Sequence, residues 1–286
     1  MIVDTHLHYI EAATPDRRYV AAGVMEPVSV DEVVATATAA GVDKVVQVTA
    51  STMGYDNTYS FEGARARPDR VLGVFGRFDP IAPHVEERLE AYWSAPEAMG
   101  IRQTMFHAES RDWLTTGALD PFLRAAARFG VPVAMFAPFQ STAMLETVDR
   151  HPDVRFIADH TLIRHEANQT LDSAFRDWPN LMKLAARPNV WTKLSYFPEA
   201  SDSEPWPNPA AQRYFRQLVE HAGASRLIWG SNYPPVQRVC TYAQALGFVK
   251  DACDFLSPDD RAAILGGNFI RDFSRQRTAT SPRITD

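Results

Sequence analysis

The chain has 286 residues, 45% hydrophobic and 11% aromatic, enough to bury a large core in one α/β barrel or in two ordinary domains. A formal net charge of -6 offers no electrostatic gain on nucleic acid or an anionic membrane, so the expected partner is a small molecule. MIVDTHLHYI carries no basic n-region, no run comes near the roughly 20 apolar residues of a membrane span, and Cys240 and Cys253 form no CxxC pair; a cytoplasmic protein without a thiol nucleophile is expected.

Eight apolar runs of strand length follow one another: MIVDTHLH (1–8), KVVQVT (44–49), VLGVFGRF (71–78), GIRQTMF (100–106), VPVAMF (131–136), VRFIADH (154–160), NVWTKLSYF (189–197) and RLIWGSN (226–232). Helical signals lie between most of them. Ser29 and Glu32 form a capping box before VDEVVATATAA, and Gly41 stops that helix. Asp120-Pro121 opens PFLRAAARF, Gly130 closes it, and Ser141 caps TAMLETVDR. Pro209 opens AAQRYFRQLVEHA up to Gly223, and Ser257-Pro258 starts DDRAAIL ahead of Gly266-Gly267 and a last turn near Asn268.

Continuous apolar strands separated by helices imply parallel pairing with both sheet faces covered. Eight units at roughly 30-residue spacing predict a single (β/α)8 TIM barrel over residues 1–275, with 276–286 a disordered tail. A doubly wound sheet is the alternative, but no GxGxxG or P-loop follows any strand. Two long segments, 11–27 after the first strand and 197–209 after the seventh, leave strand ends where barrel enzymes build pockets and lids; the Trp-bearing EPWPNP either lines a lid or covers the barrel.

Side chains alternate along a strand, so His6 and His8 share a face while Tyr9 points away from it. H-x-H alone is a weak signal, because surface histidines are common. His160, however, closes a second apolar strand at its C-terminal end, where a packing role is hard to find for a polar ring. Arg102 inside GIRQTMF needs an anion, from substrate or from a core salt bridge. Arg77 and Lys193, near strand ends, are candidate binders of a substrate carboxylate or carbonyl. Thr49, Ser51 and Tyr55 offer hydroxyl contacts in the loop after KVVQV; Asp4 shares the parity of the histidines and can support them from behind. Asp56 and Asp159 read as capping or ion-pair residues.

DTHLH, IADH, LIWGSNYP and ILGGNFIRDF, in that order, resemble the amidohydrolase-2 group of the amidohydrolase superfamily, which includes 2-pyrone-4,6-dicarboxylate lactonases and zinc-dependent decarboxylases. The resemblance implies that His6, His8 and His160 are catalytic and are also the ligands of a mononuclear divalent metal, zinc or manganese, although related lactonases use such a cluster with no metal. The eighth-strand aspartate of the family falls on Asn232, which cannot take a proton as a carboxylate does but can orient water. The fifth-strand histidine falls on Phe136, which argues against a binuclear centre. Three functions stay open: hydrolysis of a small carboxylated lactone, metal-dependent decarboxylation of an aromatic or muconate-like acid, and a repurposed, non-catalytic barrel. A homodimer is implied only by the resemblance.

Overall fold

Every apolar run forms a strand: β1 (Val3–Leu7), β2 (Lys44–Val48), β3 (Val71–Gly76), β4 (Ala98–Thr104), β5 (Val133–Phe136), β6 (Phe156–Ala158), β7 (Val190–Leu194) and β8 (Leu227–Trp229). The computed structural model describes residues 1–12, 26–164, 166, 169–200 and 204–275; most of the 11–27 segment and the 276–286 tail lie outside these. All neighbouring pairs are parallel and in sequence order, with Arg102 beside Ala134 and Lys193 beside Ile228. This is the expected (β/α)8 barrel. Among the described residues no helix is long and apolar enough to cross a membrane.

The helices that follow the strands are α1 (Val30–Ala39), α2 (Thr58–Ala66), α3 (Val85–Trp93), α4 (Asp120–Phe129), α5 (Ser141–Arg150), α6 (Trp178–Ala185), α7 (Pro209–Ala222) and, after the last strand, α8 (Tyr242–Gly247). The Ser29/Glu32 box caps α1 as its spacing predicts, and Ser257 caps the short Pro258–Ala262 helix. Two starts differ from the sequence reading. Asp120 and Ser141 are the first residues of α4 and α5 rather than their caps. The reason lies in tertiary partners: His151 Nε2 takes the Asp120 carboxylate at 2.9 Å, and Asp177 accepts the Ser141 backbone N–H at 2.8 Å.

The alternation of each strand sorts its side chains into two environments. Leu7, Tyr9, Val45, Val74, Ile101 and Met135 face the helices, with the Tyr9 hydroxyl donating to Ser60 O. Val46, Val48, Phe75, Ala134, Ile157 and Ile228 fill the barrel interior, where Phe269 and Phe273 of the C-terminal helix Asn268–Phe273 join them. Above this apolar layer the interior turns polar.

Closure joins β1 to the end of β8. His8 N donates to Tyr233 O and Asn232 N to His6 O, both at 2.8 Å, and the Thr5 hydroxyl donates to Trp229 O at 2.6 Å. The Asp4 carboxylate fastens the same seam, accepting from His6 N (3.0 Å), Ser231 N (2.9 Å) and the Tyr242 hydroxyl (2.8 Å). Asp4 thus supports the histidine strand through its backbone. Gly230 permits the close approach, since a Cβ there would stand 2.6 Å from His6 Cβ and 2.9 Å from His6 N. Gly230→Ala must push β8 away from β1, and thermal or urea unfolding should show a loss of about 1–3 kcal/mol; unchanged stability would mean that the seam is slack.

Candidate active site

At the C-terminal end of the barrel, His6 is fully buried and His8 and His160 nearly so. The His6 ring centroid lies 4.9 Å from His8 and 4.3 Å from His160. The three sequence candidates therefore converge. Beneath them sits Asp159, fully buried, with Lys193 Nζ at 3.1 Å and His6 Nδ1 at 3.2 Å on one oxygen and Arg102 Nε at 3.2 Å on the other. The ion-pair reading of Asp159 and the core salt bridge considered for Arg102 are both realised here. His6, Asp159 and His160 together form a group whose donor atoms could hold a metal ion.

Burial dominates the electrostatics. It pushes His6 down to about 4 against the pull of Asp159, and with His6 it pushes His8 down to about 3; His160 also falls well below the ordinary histidine range. Burial alone would raise Asp159, but His6 and Lys193 outweigh it and hold the carboxyl well below the usual range. At neutral pH the cluster is three neutral imidazoles beside one carboxylate and two cations.

Hydrogen bonding then decides what the rings present. His8 Nδ1 lies 2.6 Å from Val48 O, which assigns its proton to Nδ1 and leaves Nε2 an acceptor, whereas His6 Nδ1 faces both the Asp159 carboxylate at 3.2 Å and the Lys193 ammonium at 3.3 Å and serves as donor to the first or acceptor from the second. His6 Nε2 is buried with no partner. A buried imidazole nitrogen without a partner, among neutral imidazoles and a carboxylate, fits a divalent cation. His160 Nδ1 is bonded to the Ser195 hydroxyl at 2.7 Å.

A cavity of about 330 Å³ opens over the cluster, lined by His8, Ser51, Arg102, His160, Glu199 and Asn232 among others. Arg77, Lys193 and Tyr55 do not line it. Lys193 is wholly buried between Asp159 and the Phe75 ring, so its cation acts on the carboxylate and not directly on a substrate. Arg77 bonds Gly54 O at 3.0 Å and shares the Thr104 hydroxyl with Arg102, each at 2.7 Å, while Tyr55 lies half exposed against its guanidinium. Thr49 is spent on Ser60, and Asp56 caps Thr58 as expected. Phe136 packs its ring under Arg102 and against His160. Trp206 of EPWPNP donates to Gln244 O on α8, so it covers the barrel side.

Glu199 and Tyr196, which sequence reasoning did not single out, complete the wall. Asn232 Nδ2 donates to both Glu199 oxygens at 3.4 Å. His160, Tyr196 and Asn232 all have left-handed backbone (φ 55°, 67° and 58°), an arrangement that clusters at functional sites. Glu199 carried no signal beyond its place in the long 197–209 segment.

A closed parallel barrel with imidazoles, a carboxylate and cations gathered at the carboxyl ends of its strands defines an enzyme barrel. The chain belongs to the amidohydrolase family, whose sequence pattern it matches over residues 3–272. It is 28% identical to the L-fucono-1,5-lactonase of Burkholderia ambifaria over 285 residues, 93% of each chain. Its fold is that of an amidohydrolase of Burkholderia multivorans with bound zinc (TM-score 0.82, 20% identity, 96% of this chain and 100% of that one). It also matches a structure from Acinetobacter baumannii assigned as a 2-pyrone-4,6-dicarboxylic acid hydrolase, with citric acid bound (TM-score 0.75, 20% identity, 96% and 99%).

Burial raises Glu199 from 4.5 to about 8, against the Asn232 bond and Arg238. Between those values the folded protein holds a proton that the unfolded chain has lost, so this group makes stability fall as pH rises from about 4.5 to 8. Glu199→Gln removes the effect. Urea unfolding at several pH values should show the variant gaining on the unsubstituted protein across this window, by up to about 1.4 kcal/mol per pH unit; a constant difference would place the carboxyl in water.

Proposed function

We propose that the protein hydrolyses a small lactone carrying a carboxylate. One observation carries the reading: Arg102 and Lys193 are buried on a single ionised carboxylate, Asp159, with Arg77 joined to Arg102 through the Thr104 hydroxyl, immediately beside three neutral imidazoles, and that excess of cation suits an anionic substrate. The lactonase name of the curated relative, aligned over 93% of this chain, supports the ring-opening chemistry.

In this reading the substrate carbonyl lies in the cavity next to Arg102, whose guanidinium meets the charge that develops on oxygen. Asn232 orients the attacking water, and His160, held by Ser195, takes the proton. Ser51 bonds the bound ring, and Arg77 strengthens the field of Arg102 through Thr104. A divalent cation, where bound, would be held by His6, Asp159 and His160, the group whose donor atoms converge, with His8 outside that group. Such a cation, zinc or manganese, supplies Lewis acidity and lowers the pKa of its water.

A panel of six-membered lactones with and without a carboxylate, together with aromatic acids, tests the function. Ring opening with higher kcat/KM for the carboxylated members is expected, and His160→Ala should lower it by about 10²–10⁴-fold. Preference for neutral sugar lactones would remove the carboxylate from the proposal, and release of CO2 would replace hydrolysis by decarboxylation. Plasma mass spectrometry on untagged protein purified without chelator should find about one equivalent of zinc or manganese if His6, Asp159 and His160 hold the ion. Metal-free protein with full activity would leave the reaction to the side chains alone.

A further inference from the structure

Opening a lactone expels an alkoxide, a poor leaving group unless a proton reaches the ring oxygen as the bond breaks. The rings assigned above have other partners: His8 Nδ1 is committed to Val48 O, and His160, held by Ser195, serves the attacking water. Arg102 holds its protons permanently. Among the described residues lining the cavity, Glu199 is the carboxyl group.

It is buried in the cavity wall with a neutral amide as its hydrogen-bond partner. The side chain is 3% exposed, and both oxygens face Asn232 Nδ2 at 3.4 Å. The titratable and charged groups around it are Tyr196 at the end of β7, with Arg238 and Cys240 in the segment after β8.

We propose that Glu199 is the general acid of the ring opening, delivering its proton to the departing ring oxygen while Asn232 fixes the carboxyl in place. The assignment rests on the lactone-hydrolase reading. Water adds to the carbonyl carbon and loses a proton to His160; the ring C–O bond breaks, and the electron pair left on oxygen takes the Glu199 proton. The product is a hydroxy acid. Protonated His160 and ionised Glu199 then return to their starting states by passing one proton through solvent, so atoms and charge balance. Burial, which raises Glu199 to about 8, keeps the acid form in place at neutral pH.

The test compares two six-membered lactones, one with an alkyl and one with an aryl leaving oxygen. Glu199→Gln should lower kcat on the alkyl lactone by about 100-fold or more with KM little changed, and should leave the aryl lactone nearly untouched because a phenolate departs without help. The decline in kcat above pH about 8 should vanish in the variant, and Glu199→Asp should restore part of the alkyl activity. Equal losses on both lactones with an unchanged pH profile would reduce Glu199 to a structural group. Infrared spectroscopy provides a readout besides activity: a protonated-carboxyl band present at pH 7 and missing in Glu199→Gln is expected. Absence of that band overturns the assignment, whereas its presence in a protein that opens no lactone overturns only the hydrolase reading.

Discussion

The site depends on one buried charge. The Asp159 carboxylate has left water completely, and its cost is offset chiefly by Lys193, Arg102 and His6 arriving together from three other strands. Each of those side chains would itself be expensive to bury without the carboxylate. The four groups are mutually dependent, and they fix how β1, β4, β6 and β7 stand relative to one another at the mouth of the barrel.

That arrangement determines the chemistry of the rings above. Burial first, and then the positive charge of Arg102 beside both rings and of Lys193 beside His6, disfavours a protonated imidazole, so His6 and His8 stay neutral. The same layer explains why Phe136 fits where a further imidazole would be possible. Its apolar ring carries the Arg102 guanidinium on one side and meets His160 on the other.

Much of this was legible in the residues. The eight apolar runs are the eight strands, and the parity of DTHLH places Asp4, His6 and His8 on the interior face with Tyr9 outside. Parity gives the face of a side chain but not its depth. Lys193 shares the inward face with Ser195, yet one lies in the ion-pair layer and the other touches the His160 ring, a distinction set by strand stagger. Asp159 read as an ion-pair residue, but nothing local showed that its partners lie 57 and 34 positions away in the chain. Glu199 was hidden most completely, since a single acid in a long loop has no period and no spacing that marks it as buried.

The left-handed backbone at Asn232 and its bond to Glu199 make positions 199 and 232 a coupled pair. Asparagine is among the few residues other than glycine that adopt such a backbone readily, and its amide is a donor to the neighbouring carboxyl. An aspartate at 232 would set two carboxyls within hydrogen-bonding range, where they must share a single proton. The identity of one residue therefore constrains the other across the gap between β7 and β8, and evolution cannot tune either of them alone.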